Sequence, residues 1–131
     1  MTSRIKAINE SRPKIALSRT VQMDELIKFI ASHSGLSSGG IMQVLLEVHD
    51  AIVYFNSYGQ GVKVEGLGTY LPNLRLDGSL DIEHRQDPRL KRDLNQREFG
   101  GAIVNHKNVG KSADELVALW NETHPDDPVE E

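Results

Sequence analysis

The sequence has no cysteine, which excludes disulfide frameworks, thiolate zinc sites and cysteine nucleophiles. It has no long apolar run either. The longest unbroken ones, such as Ala51 to Phe55, have only five residues, far short of a membrane span. Arg4 and Lys6 near the start have no apolar stretch behind them, so no secretory signal is visible and a cytoplasmic protein is expected. No zinc-protease pattern occurs among the five histidines His33, His49, His84, His106 and His124, and no metal or cofactor is expected. Gly110-Lys111-Ser112 has the ending of a phosphate-binding loop, but Asn105 stands where that loop needs its first glycine. The glycines at 59, 61, 66 and 68 lack dinucleotide-fingerprint spacing, and no G-x-S-x-G elbow occurs. Nothing in these patterns favours an enzyme.

What is present fits one ordinary domain: 131 residues, 38% hydrophobic, with eleven glycines besides. Excess basic charge is missing too, since 15 Lys and Arg stand against 19 Asp and Glu, a formal −4. The sum hides an uneven distribution. Residues 1–19 carry Arg4, Lys6, Arg12, Lys14 and Arg19 against Glu10, a net +4. Residues 85–97 carry Arg85, Arg89, Lys91, Arg92 and Arg97 against Asp87 and Asp93, a net +3. Residues 112–131 hold no cation and reach −7. A negative total therefore does not exclude a nucleic-acid partner, because affinity depends on where the cations sit.

Periodicity supplies the elements. Met23, Leu26, Ile27 and Ile30 recur at helical spacing, with Asp24 and Glu25 suited to the positive end of the dipole and Gly35 a natural stop. Ser37 is an N-cap candidate for a second helix to about residue 57, striped by Ile41, Val44, Leu45, Val48, Ile52 and Phe55. A second set, Met42, Leu46 and Val53, widens that arc beyond what one partner helix needs, so this helix is either deeply buried or shared between two subunits. Residues 62–65 alternate as a half-buried strand. Gly66-Leu67-Gly68 suggests a tight bend, and Asp77-Gly78 between two apolar-alternating runs signals a hairpin. From 83 to 96 the chain is polar and basic, readable as loop, extended arm or short helix. Residues 102–104 read as a last strand, and Ser112-Ala113-Asp114-Glu115 opens a final helix with a capping-box pattern.

This order, with Met23-Asp24-Glu25-Leu26-Ile27, Gly35-Leu36-Ser37 and above all Val62-Lys63-Val64-Glu65-Gly66-Leu67-Gly68-Thr69-Tyr70, resembles the HU/IHF family of bacterial histone-like DNA-binding proteins. Gly110-Lys111 is similar to the family's closing segment. Ser18-Arg19-Thr20-Val21, with Pro13 upstream, is similar to the N-terminal extension of HU-like proteins common in Bacteroidetes. The likeness covers about residues 13–120. It implies an α+β fold with two N-terminal helices, a small antiparallel sheet with an arm-like extension, and a closing C-terminal helix, intertwined in a dimer. The expected division is a basic extension over 1–19, an HU-like domain over 20–123 and an acidic tail over 124–131.

The resemblance implies double-stranded DNA binding with little sequence preference by a homodimer, nucleoid-associated, with neither membrane nor small-molecule substrate. Contacts are expected from Arg85, Arg89, Lys91, Arg92 and Arg97 on the arm-like segment. Lys63 and Arg75 on the sheet are weaker expectations, and Lys107 and Lys111 are placed near the DNA backbone. Pro88 is the candidate wedge. One departure stands out: the family's R-N-P arm tip is matched only by Arg85-Gln86-Asp87-Pro88, whose Asp87 is expected to face phosphate unfavourably. The acidic end is expected to compete with DNA for the arm. The rival expectation is a protein-interaction or structural module that keeps the fold and has lost strong DNA binding.

Overall fold

The structure, a computed structural model, describes residues 1–129; Glu130 and Glu131, the end of the expected acidic tail, lie outside the described residues. The chain divides into two units, Thr20–Glu98 and Met1–Arg19 with Phe99–Glu131.

The first unit opens with α2 (Met23–Ser34) and α3 (Ser38–Ser57); the preceding helix, α1 (Arg4–Ser11), belongs to the other unit. Both match the expected boundaries because both carry explicit end signals. Gly35 adopts the left-handed conformation at φ 75°, and its N–H returns to Ala31 O. Ser37 caps α3, its hydroxyl accepting from Gly40 N–H at 3.1 Å. Three antiparallel strands follow: β2 (Val62–Val64), β3 (Gly68–Leu74) and β4 (Leu80–Gln86), in the order β2-β3-β4. The Asp77-Gly78 turn closes the β3–β4 hairpin, with Arg75 N–H donating to Ser79 O and Gly78 N–H to Arg75 O. Asn56, at the end of α3, donates through Nδ2 to the carbonyls of Gln60 and Tyr70, which ties that helix to β3.

The segment expected as an arm has a different form. Residues 80–86 are the outer strand of the hairpin, and Pro88–Asn95 form a short helix, α4. Asp87 is its N-cap, accepting from Arg89 N–H at 2.9 Å, and Pro88 occupies the first turn. Proline suits that position, where its missing N–H costs no helical hydrogen bond. Pro88 therefore lies at the end of the sheet opposite the hairpin turn and cannot be the tip of a projecting arm, as a wedge requires.

The second unit contains α1 (Arg4–Ser11), β1 (Lys14–Ala16), β5 (Ala102–Val104), a single 3-10 turn at His106–Asn108 and α5 (Ala113–Thr123). Strand β1 pairs antiparallel with β5, Ile15 opposite Ile103. Helices α1 and α5 pack together around Ala7, Trp120 and Val129, with Val117 at the edge. The extension over 1–19 is thus a helix and a strand. Helix α5, expected to close the HU-like domain, belongs instead with that extension.

The described part of the acidic end is also folded. Asp127 accepts from the Thr2 hydroxyl and lies 3.4 Å from the Met1 amino group, and its backbone carbonyl accepts from Trp120 Nε1 at 2.8 Å. Val129 N–H donates to Asn121 Oδ1. Residues 125–129 thus close a small core within their own unit.

Candidate nucleic-acid interface

The antiparallel register sets Lys63 opposite Thr69, and Thr69 opposite Arg85. Directly opposed residues point to the same face. Lys63, Thr69 and Arg85 therefore form one row across all three strands, two cations with a hydroxyl between them. Arg85, Glu83 and Asp81 alternate onto that face along β4, with Leu71 and Asn73 opposite Glu83 and Asp81. Tyr70 and His84 occupy the other face and stack at 4.6 Å.

The row borders a cleft of about 340 Å³ lined by Lys63, Thr69, Arg85, Pro88 and Arg89, with Gly68, Gln86 and Asp87 completing its floor at the point where β3 and β4 meet. A close approach builds that floor. Gly68 lies at φ 152°, and an ideal Cβ there would overlap the Arg85 carbonyl oxygen and lie 2.6 Å from His84 Nε2. The Gly66-Leu67-Gly68 bend is secured from the other side by Asp87, whose carboxylate accepts from Gly66 N–H at 3.1 Å while its own N–H donates to Leu67 O.

Asp87 was expected to face phosphate. It is instead buried, only 8% exposed. Its two oxygens receive the Arg89 guanidinium at 2.8–3.2 Å. That guanidinium, together with the N–H groups of Arg89 and Gly66, holds the Asp87 carboxyl far below the usual carboxylate range. The same contacts, with a further bond from Arg89 to Glu65 at 2.5 Å, keep Arg89 firmly charged. Arg89 is thus a bracket joining α4 to the β2–β3 bend, with little freedom to leave.

Most other expected contact residues also carry an acid. Arg75 bonds Asp81 at 2.9 Å, Arg85 bonds Glu83 at 3.3 Å, Arg92 bonds Asp93 at 3.1 Å, and Lys63 lies 3.7 Å from Glu65. The Arg75 contact lowers the Asp81 pKa, and hydrogen bonding to Arg89, followed by the charge of Lys63, lowers that of Glu65. Lys91 and Arg97 have no ion pair among the described residues. The structure therefore gathers Lys63, Arg85 and Arg89 around one cleft, places Lys91 and Arg92 on α4, puts Arg97 just beyond it, and leaves Arg75 near the hairpin turn.

Thr69 and the pairing acids were missed from the sequence. The signal for Glu83 was available, because residues two apart on a strand share a face. The same holds for Asp87, since Asp-Pro is a helix-start pair of N-cap and first-turn residues. Among the described residues there is no group of acids and histidines able to hold a metal, and no helix is long and apolar enough to cross a membrane.

Two helices leading into a three-stranded antiparallel sheet with a basic row define an HU-like α+β module. The family model described as "HU domain fused to wHTH, Ig, or Glycine-rich motif" matches residues 6–93, and the chain belongs to that family. HU proteins as a family are structural, histone-like DNA-binding proteins and not enzymes. Among solved structures, a single-residue mutant of HU from Thermotoga maritima is similar at 18% identity, covering 56% of this chain and 99% of that one with a TM-score of 0.47. No curated protein matches.

Proposed function

We propose that this chain binds double-stranded DNA with little sequence preference, as a nucleoid-associated homodimer. The observation that carries this reading is the Lys63–Thr69–Arg85 row beside its open cleft. Side chains of this kind can meet successive phosphates, and nothing in the row is arranged to read base edges. Lys91, Arg92 and Arg97 add charge along and beyond α4. Arg89 acts through position, by holding the bend that presents the row. Pro88 and deep wedging have no part in the mechanism.

A dimer is supported by what the Thr20–Glu98 unit leaves uncovered. Ile27 and Ile41 are its buried apolar side chains, whereas Phe29 and Val44 are each 61% exposed and Leu46 and Tyr54 more than half exposed. Apolar area on two adjacent helices is expensive to leave in water, and a second copy supplies a matching surface. Two copies present the basic row twice.

Mobility-shift titration of a duplex at two salt concentrations tests the reading. With about four to six phosphates neutralised per dimer, log K should fall against log salt with a slope of about −4 to −5. Replacing Lys63, Arg85, Lys91 and Arg97 by Ala should flatten that slope, and an unchanged slope refutes the residue assignment. A second reading, an HU-fold protein-interaction module, is favoured by the carboxylates already seated on Arg75, Arg85, Arg89 and Arg92. Absence of any shift at low salt, with the dimer intact by light scattering, would select it.

A further inference from the structure

The unit of Met1–Arg19 and Phe99–Glu131 has its own charge distribution, which the reading above does not use. Around the start of α1 its charges are matched. Arg4 bonds Asp114 at 2.5 Å, the Met1 amino group faces Asp127, and Lys6 contributes to lowering the Asp127 pKa after the larger effects of Thr2 and the amino terminus. The other end of α1 differs. Asn105 Nδ2 donates to the carbonyls of Glu10 at 2.8 Å and Arg12 at 3.1 Å, and Asn108 Nδ2 donates to Ser11 O at 2.6 Å. Asn105 adopts the left-handed conformation at φ 57° to do so. Lys14 is opposite Val104 in the β1–β5 ladder, and Lys111 N–H donates to Asn108 O.

These bonds bring the backbones of Arg12, Lys14, Lys107 and Lys111 to one corner, although the first pair and the second are more than ninety residues apart in the sequence. None of the four makes an ion pair among the described residues; Arg12, Lys107 and Lys111 are exposed and Lys14 is half-buried. Glu10 lines a shallow cleft with Lys107 and forms no ion pair with it. The contrast with the sheet is chemical. There, most cations must give up a carboxylate to take a phosphate, whereas here they have only water and counterions to lose.

We infer that Arg12, Lys14, Lys107 and Lys111 form a second phosphate-contacting surface for double-stranded DNA. No buried cation lies at this corner, so it is built for several shallow contacts along a polyanion and not for capture of one small anion. Each contact that releases a condensed counterion steepens the salt dependence by about 0.9. The inference rests on the DNA-binding reading, and its test separates the two.

The experiment uses the full chain and a short duplex, with affinity followed by fluorescence anisotropy across ~50 to ~200 mM salt. Substituting Arg12, Lys14, Lys107 and Lys111 together by Gln should reduce the magnitude of the salt slope by about 2 to 3 of the roughly 4 to 5 expected per dimer. Exchanging each for the other basic residue (Arg12→Lys, Lys14→Arg, Lys107→Arg, Lys111→Arg) should preserve it, which a purely structural role would not predict. Circular dichroism and Trp120 emission check that the Gln variant is folded. If the wild type binds and the folded Gln variant keeps its slope, the inference falls while the DNA-binding reading stands. If the wild type binds no duplex at low salt, both fall. If the corner variant loses slope while Lys63, Arg85, Lys91 and Arg97 prove replaceable, the corner stands and the sheet assignment falls. Equal binding of polyglutamate and duplex at matched salt would assign the corner to acidic proteins and overturn the inference.

Discussion

The bend between β2 and β3 offers a quantitative test, because its two glycines have different reasons to be glycine. Both have positive φ, 84° at Gly66 and 152° at Gly68. An added methyl at Gly66 meets nothing within 4 Å, whereas at Gly68 it overlaps the Arg85 carbonyl and crowds His84. For Gly66→Ala only the conformational cost applies, about 1–2 kcal/mol for a left-handed L-residue. For Gly68→Ala a strained backbone of about 1–3 kcal/mol is joined by overpacking of about 1–3 kcal/mol. The atom in the way is main chain of β4 and cannot rotate aside, so the total is about 2–6 kcal/mol. For a unit of this size each kcal/mol lowers Tm by about 4–8 °C. Thermal unfolding by circular dichroism should therefore show a fall of about 8–48 °C for Gly68→Ala and about 4–16 °C for Gly66→Ala. Because the displaced carbonyl belongs to Arg85, Gly68→Ala should also weaken duplex binding below its melting range, and Gly66→Ala should not. Equal losses of Tm in the two variants would refute the close-packing argument.

The Asp87 carboxyl titrates below its ordinary value in the folded state. Its stabilising contribution is thus complete above about pH 4 and lost as pH falls further through the folded value. Urea midpoints should drop on this acid limb, and Asp87→Asn should flatten it; parallel limbs would show that Asp87 is not responsible. Ending the chain after His124 removes the Trp120 acceptor on Asp127 and the Val129 contact. Trp120 emission should shift to the red with no gain in DNA affinity, and an unshifted emission with tighter binding would restore the competing-tail idea. Val44→Glu places a charge on the uncovered face of α3. If the proposed dimer forms through this face, sedimentation equilibrium should report it for the wild type and a monomer for the variant, and an unchanged mass would move the interface elsewhere.

Elements with local signals were legible. The bounds of α2 and α3 followed from Gly35 and Ser37, the hairpin from Asp77-Gly78, and α5 from the Ser112 cap, whose hydroxyl accepts from Glu115 N–H at 3.2 Å. Helix α4 is one of the three forms, loop, extended arm or short helix, that the sequence leaves open between 83 and 96. The charge of residues 85–97 drew attention to Pro88 as an arm residue, when Asp87-Pro88 is also a helix start. Strand β1 and the placement of α5 were less accessible. A three-residue strand has too few alternations to register as a pattern, and its partner β5 begins 86 positions later. Nor could charge runs show which cations are spent. Arg89 looked like the centre of a DNA-binding cluster because Asp87 is near in sequence but Glu65 is not, and the bracket needs both.

Charge was the feature for which addition along the sequence misled most. The −7 end segment and the +4 start fold into one unit whose net charge is only −1, while the HU-like unit over 20–98 carries −3. The unit that carries the proposed sheet row is thus the more acidic of the two, and affinity cannot scale with its sum. It depends on the exchange at each cation. An exposed pair such as Arg85–Glu83 is held weakly because water screens both partners, so a phosphate can replace the glutamate at small cost. The Asp87–Arg89–Glu65 cluster combines a buried carboxylate with several hydrogen bonds and resists that exchange. Arg92 and Arg85 should therefore contribute to duplex binding more than Arg89, even though Arg89 lines the cleft. Replacing Arg89 should lower stability before it lowers affinity per folded molecule, whereas replacing Arg85 should do the reverse.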